Sequence, residues 1–278
     1  MKFLYLGTAA AEGIPALFCM CNTCTIARKR RGRELRSRCQ AIINDELLLD
    51  FGPDTYMHTI TQNFHLENVN HVLITHDHQD HFYVDEMEYR RKGYASKIKD
   101  GPLHVYGTTP IVKKVNDLQD TFKEYCPNIL EAHLVTPFIP FDVIGYKVTP
   151  LEASHSPHAC PVIYHIQKDN KSILYGHDTG WFSDKTWDYL SRLNKPLDFV
   201  SIDCTGALLV GWDYGGHLAF ESVLKVKEKM EKIKAIDKNT KFVINHFSHN
   251  GNGNHKEMVE IAKPYNIYVA YDGMEVTI

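Results

Sequence analysis

The sequence predicts a mixed α and β domain, and three observations carry the prediction. Short apolar runs rich in β-branched residues recur along all 278 positions. Helical periodicities fall between several of them. No repeat, low-complexity tract or Gly/Ser-rich linker divides the chain, so residues 1–278 read as one domain.

Taken in order, the predicted strands are Lys2–Gly7, Ala41–Leu49, His71–Thr75, Leu103–Tyr106, Tyr146–Leu151, Val162–Gln167, Ser172–Tyr175, Phe199–Asp203, Lys241–Asn245 and Ile267–Ala270. The predicted helices are Asn22–Arg30, Pro53–Asn63, Thr109–Glu124, Thr186–Arg192, His217–Ile233 and Lys256–Lys263. From about Phe141 the strand-then-helix order of the first half repeats. Sheets covered by helices bury such patterns best.

Composition narrows the function. A net charge of -3 gives no global attraction to nucleic acid or anionic membrane. The N-terminal Met1–Leu6 run is short and has no cleavage site, so it reads as a strand rather than a signal peptide. No stretch reaches the roughly 18 apolar residues of a membrane helix. Seven cysteines, three of them crowded at Cys19, Cys21 and Cys24, suit a metal better than a disulfide framework and point to the cytoplasm.

The densest chemical signal is Val72-Leu73-Ile74-Thr75-His76-Asp77-His78-Gln79-Asp80-His81. An apolar strand runs straight into four metal-capable side chains within six residues. Neutral imidazole is the commonest metal ligand, and carboxylates complete sites for harder divalent ions. Extended backbone would turn His76 and His78 to the same side. Asp80 and His81, past a turn, could then serve a second ion. A polar loop of surface histidines is the alternative, and it leaves the clustering unexplained. Asp178, Asp203 and His246 also sit at or just beyond the ends of apolar runs, where a rigid sheet presents side chains to a crevice.

Thr-His-X-His-X-Asp-His after an apolar strand resembles the signature of the metallo-β-lactamase superfamily. The resemblance extends, in family order, to Asp50 in Leu49-Asp50-Phe51-Gly52, His155 in Ala153-Ser154-His155-Ser156, Asp178 in His177-Asp178-Thr179-Gly180, and His246. His158 competes with His155 on sequence alone. The likeness implies an α+β fold, a four-layer αββα sandwich with its site at the sheet edges. It implies two catalytic divalent metals, manganese or zinc. One would be held by His76, His78, His155 and Asp178, the other by Asp80, His81, His246 and Asp178. Asp50 and Asp203 would orient the ligands from behind.

Cys19-Met20-Cys21-Asn22-Thr23-Cys24 is an independent signal. Three thiolates at this spacing can hold a zinc ion that needs a fourth donor; an iron–sulfur cluster or a redox pair is the alternative. This triplet, with Gly7-Thr8 and Gly13-Ile14-Pro15 before it, resembles the cyclic-phosphate phosphodiesterases of the carbon–phosphorus lyase pathway. That subfamily implies a structural zinc completed by His249, three residues beyond His246. The likeness extends to Ser201-Ile202-Asp203-Cys204, Gly215-Gly216-His217 and Tyr271-Asp272-Gly273-Met274-Glu275. Two departures bear on substrate. Ala9-Ala10-Ala11 stands where the subfamily has glycines, and the Thr205–Gly216 loop, with Trp212 and Tyr214, is longer.

The expected reaction is hydrolysis of a small or cyclic phosphodiester by metal-activated water, with Asp80 and Asp178 on the metals. His217 is expected as general acid or phosphate-binding residue, with the helix after it offering amides to the phosphate. Arg28-Lys29-Arg30-Arg31, with Arg33, Arg36 and Arg38, reads as a solvated face, or else as the source of an arginine for the phosphate. It lacks the interleaved aromatics of a nucleic-acid surface, which makes nucleic acid a less favoured partner. The alternatives are a tRNA 3′-processing ribonuclease, a lactone or thioester hydrolase, and a non-catalytic metal-binding scaffold. A homodimer is expected by family likeness alone.

Overall fold

A computed structural model describes residues 1–212 and 215–278. Its 14 strands form two seven-stranded sheets. The first has the order β14(Glu275–Thr277), β1(Lys2–Gly7), β2(Gln40–Ile43), β3(Leu47–Leu49), β4(His71–Leu73), β5(Leu103–Gly107), β6(Leu130–Leu134). The second has the order β13(Ile267–Val269), β12(Lys241–Asn245), β11(Phe199–Asp203), β10(Lys171–Gly176), β9(Val162–Lys168), β8(Tyr146–Glu152), β7(Phe141–Val143). The repeat expected from Phe141 onward is therefore the second sheet.

Period-2 alternation explains the layers. Phe3, Tyr5, Leu49 and Leu73 point from the first sheet onto Val148, Tyr164, Tyr175 and Phe199 of the second, forming the inner core. The opposite face of the first sheet, with Ile42, Val72 and Val105, is covered by Ile111, Val115 and Phe122 of α3(Thr109–Phe122). The opposite face of the second, with Val200, Ile202 and Ile244, is covered by Trp187 and Leu190 of α4(Asp184–Ser191), Val223, Val226 and Met230 of α5(Phe220–Lys232), and Met258 of α6(His255–Ala262). The result is the four-layer αββα sandwich. The remaining helices, α1(Asn22–Arg30) and α2(Thr55–Thr61), lie in the connections after β1 and β3. No helix among the described residues is long and apolar enough to cross a membrane.

Several expected elements are corrected. Ala41–Leu49 is a hairpin rather than one strand, because Asn44 and Asp45 take φ of 50° and 58° and reverse the chain. The helix expected from His217 begins at Phe220, so His217 stands in the preceding loop and is not a helix-start residue. Strands β6, β7 and β14 were not expected; Glu131, His133, Asp142 and Glu275 interrupt their apolar character.

Within each sheet four strands run parallel: β3 to β6 in one and β10 to β13 in the other. Asp50 and the His76–His81 segment follow β3 and β4. Asp178, Asp203 and His246 follow or end β10, β11 and β12. Both parallel halves thus deliver their polar side chains at carboxyl ends of strands, the usual place for a site in such sheets.

Candidate metal centre

Three residues of the site leave their strands with left-handed backbone: Asp50 at φ 65°, Asp178 at 51° and His246 at 62°. Asp and His tolerate this region better than most residues. The conformation turns the chain abruptly and swings each side chain into the crevice between sheets. Strain of this kind collects at functional sites.

The expected donors meet in two groups that share Asp178. His76, His78, His155 and Asp178 form one, and Asp80, His81, Asp178 and His246 the other, with the donor atoms of each within 4.8 Å of one another. In the first, His78 Nδ1 lies 3.0 Å from His76 Nε2 and 3.2 Å from His155 Nε2. Asp178 Oδ2 lies 3.1 Å from His76 Nε2 and 3.6 Å from His155 Nε2. In the second, His81 Nε2 and His246 Nε2 are 3.2 Å apart, and Asp80 Oδ2 is 3.2 Å from His81 Nε2. Asp178 Oδ1 is 2.7 Å from His246 Nε2 yet buried without a hydrogen bond of good geometry. His158, the sequence rival of His155, is exposed and outside both groups.

The far side of the rings fixes which nitrogen is free. His81 Nδ1 donates to Asp50 Oδ2 at 2.8 Å. Thr75 Oγ1 donates to Asp50 Oδ1 at 2.9 Å and lies 3.1 Å from His76 Nδ1, whose proton it accepts. His155 Nδ1 donates to the Gly216 carbonyl at 3.1 Å. His246 Nδ1 donates to Thr205 Oγ1 at 2.8 Å, and Thr205 Oγ1 donates to Asp203 Oδ2 at 3.0 Å. The nitrogens facing inward are therefore the ones left for a cation, and several stand close together beside carboxylate oxygens. Such an arrangement draws positive charge, a proton or a metal ion, and its imidazole and carboxylate donors fit divalent metals. Sequence reasoning named Asp50 and Asp203 but gave no role to Thr205, or to Thr75 although it opens the Thr-His-X-His signature.

The charge field agrees. Burial opposes charge on His81, but Asp178, Asp80 and Asp50 outweigh it and hold its pKa well above the imidazole range. Burial would raise the carboxyls of Asp80 and Asp178, yet the neighbouring histidines, His81 and His246, hold both below the usual range. Burial brings His155 down to about 4.

A cavity of about 730 Å³ opens over these donors. Ala10, Ala11, Glu12, Leu209, Trp212 and His217 are among its walls, and among the described residues no Lys or Arg lines it. His217 Nδ1 donates to Asp203 Oδ2 at 2.9 Å. Burial opposes its charge, but Asp203 prevails and raises its pKa to about 9. Tyr214, expected with Trp212 to border the substrate, lies outside the described residues.

The arginine run does not reach the cavity, which corrects the phosphate-binding expectation. Arg28 donates to the carbonyls of Cys19 and Ala16. Arg36 is buried against Thr8, the Ala270 carbonyl and the Phe247 ring. Arg38 pairs with Asp54, and Arg33 lies over Tyr271. Arg36 and Arg38 fasten the N-terminal loop to the body of the fold, while Lys29, Arg30 and Arg31 form the solvated face that was the other expectation.

Cys19, Cys21, Cys24 and His249 converge as a third group. His249 Nδ1 lies 3.3 Å from Cys19 Sγ and 3.4 Å from Cys21 Sγ. Donors sharing a tetrahedral zinc are separated by roughly 3.5 Å, from Zn–S near 2.3 Å and Zn–N near 2.0 Å. Burial opposes the Cys21 thiolate, but the Cys24 amide, His249 and Cys19 outweigh it and lower its pKa to about 6. All seven cysteines are free of disulfides.

Two sheets that converge on a histidine and aspartate crevice define a metal-dependent hydrolase fold. The chain belongs to the beta-lactamase superfamily, whose domain model matches residues 46–246. Among solved structures, Zn2+-bound PqqB from Methylobacterium extorquens is 18% identical, with a TM-score of 0.75 and full coverage of both chains. A diphosphatase from the PhnP family is 19% identical, with a TM-score of 0.72 over 100% of this chain and 97% of that one. The short form of human tRNase Z is 17% identical, with a TM-score of 0.63 over 100% and 99%. An octanoyltransferase from Porphyromonas gingivalis (strain ATCC BAA-308 / W83) is 24% identical over 292 residues. All of this chain matches, but it spans only about half, 52%, of that relative's length.

Proposed function

We propose that this protein is a dinuclear metal-dependent phosphodiesterase acting on a small or cyclic phosphodiester. The observation that carries the reading is the pair of donor groups joined at Asp178, with the His217–Asp203 pair beside them. Two divalent ions, manganese or zinc, would lower the pKa of water toward neutrality and offset the charge that grows on the phosphate oxygens.

The chain's residues supply the rest. His76, His78 and His155 would hold one ion and Asp80, His81 and His246 the other, with Asp178 fixing their spacing. Asp50, Thr75 and Thr205 keep the rings aimed. His217, its Nδ1 held by Asp203, can offer its other ring nitrogen to a phosphate oxygen or give a proton to the leaving alkoxide. Cys19, Cys21, Cys24 and His249 would hold a structural zinc. His249 sits beside the cavity through Glu12 and Ser248, so that ion would brace the cavity wall.

The cavity has the size of small-molecule sites. Its lack of Lys and Arg among the described residues argues against a polyanion such as tRNA. The test is turnover of bis(p-nitrophenyl) phosphate and a 2′,3′-cyclic nucleotide by manganese-loaded protein against a His76→Ala control. No turnover above that control overturns the reading. Preferential cleavage of precursor tRNA would replace it with the ribonuclease.

One pair of observations favours a second reading, acyl thioester hydrolysis. About half of the octanoyltransferase relative matches this chain along its whole length at 24% identity, and Ala10, Ala11, Leu209 and Trp212 give the cavity apolar walls. Turnover of an octanoyl thioester exceeding that of both phosphodiesters would decide for it.

A further inference from the structure

We propose that His104, Glu131 and His133 form a separate transition-metal site at the rim of the inter-sheet core, taking a late divalent ion such as Zn2+ or Ni2+. None of the three lines the catalytic cavity or belongs to the Cys19–His249 group.

Register places them together. In the parallel pair β5–β6, His104 is opposite Glu131 and Tyr106 is opposite His133. In the neighbouring pair His71 is opposite His104. Residues two apart share a face, so these side chains project from one side of three hydrogen-bonded strands. Their donor atoms lie within 4.8 Å of one another.

The distances suit a shared ion once the two rings part by a few tenths of an ångström. His104 Nδ1 and His133 Nε2 are 2.9 Å apart, which a plain hydrogen bond between the rings would also explain. Glu131, half-exposed, brings a carboxylate to the same face. One carboxylate oxygen stands 3.5 Å from His104 Nδ1 and the other 3.6 Å from His133 Nε2. Both are too long for good hydrogen bonds. They are close to the roughly 3.3 Å edge between N and O donors that share a tetrahedral ion at about 2.0–2.1 Å. A single cation could take a donor atom from each of the three, with the His104–His133 separation widening to roughly 3.3 Å.

The ligands are also pre-set. His71 stacks on His104 at 4.7 Å and 8°, and Tyr106 stacks on His133 at 4.5 Å and 16°. Phe141, from the second sheet, stacks on Tyr106 at 5.3 Å. Rings held in this way lose little freedom on binding. The three side chains are partly exposed, so an ion can enter and keep a water in its fourth position. Imidazole with carboxylate suits Zn2+ and its late first-row neighbours rather than Mg2+ or Ca2+. Because β6 is an edge strand paired only with β5, the ion would tie that edge to the sheet.

The test is calorimetric titration of the holoprotein, its other metal sites filled, with Zn2+ and separately Ni2+. Wild type should take up one further equivalent per chain. His133→Gln and His104→Gln should each lose it or weaken it about 10-fold or more, the scale on which even outer-partner losses weaken metal sites. Added Zn2+ should raise the Tm of wild type and not of either variant; agreement between the two variants guards against a fold defect in one. No further equivalent in wild type, or equal uptake by a correctly folded variant, overturns the site and leaves a histidine–histidine hydrogen bond.

Discussion

His81 and His246 face each other ring nitrogen to ring nitrogen across 3.2 Å, although 165 residues separate them in the chain. Each has given its other nitrogen to a partner, His81 to Asp50 and His246 to Thr205. Asp178 and Asp80 beside them draw positive charge into this gap, which is why the His81 pKa is raised despite burial. A metal ion held between them would bind the folded chain alone and so would stabilise the fold.

Asp80→Ala is expected to abolish turnover and release one metal while the far-ultraviolet circular dichroism stays native. Asp80 is a donor of one group only, and its backbone place in the turn survives the change. Metal content and kcat are measured together; undiminished activity would sink the two-metal reading.

Cys21→Ala should lower both zinc content and thermal stability, with a fall in Tm of roughly 5 °C or more. The loop it anchors carries Ala10, Ala11 and Glu12 to the cavity, so KM should rise as well. A normal melting curve with zinc unchanged would count against the structural site.

Gly52→Ala should act on the centre at a distance. A Cβ at Gly52 would stand 2.0 Å from the carbonyl oxygen of Asp80, a rigid backbone atom. The segment carrying Asp80 and His81 must shift, at about 1–3 kcal/mol for overpacking of this kind. Metal affinity and kcat should fall together, and denaturant melts should show the lost stability. Wild-type values for all three would show that the turn yields without cost.

His165 gives a pH dependence independent of the metals. It lies under α4 with Nδ1 at 2.8 Å from the Tyr189 hydroxyl and a buried, unpartnered Nε2. Burial, with Lys195 adding to it, lowers its pKa to about 4. The unfolded chain takes up a proton near pH 6.5 that the fold refuses until about pH 4, so stability is lost as pH falls through that window. By pH 5 the loss from this residue amounts to about 2 kcal/mol. His165→Phe should flatten the stability profile between pH 7 and 5; parallel profiles for the two proteins would contradict the assignment.

What the sequence determined by itself is local. The His76–His81 run, the cysteine triplet and the strand periodicities are written within a few residues, because donor spacing and period-2 burial need no distant partner. The hairpin hidden in Ala41–Leu49 escaped because its turn is set by two left-handed residues inside an apolar run. Strand β6 escaped because Glu131 and His133 face a rim that composition does not reveal. Only the tertiary structure decided which donors meet. His155 rather than His158 enters the cluster, Arg36 and Arg38 fasten a loop instead of lining the cavity, and Thr75 and Thr205 set the free nitrogens. Those outcomes depend on where separate strands end against one another. That is a property of the packed sandwich, and no single stretch of chain carries it.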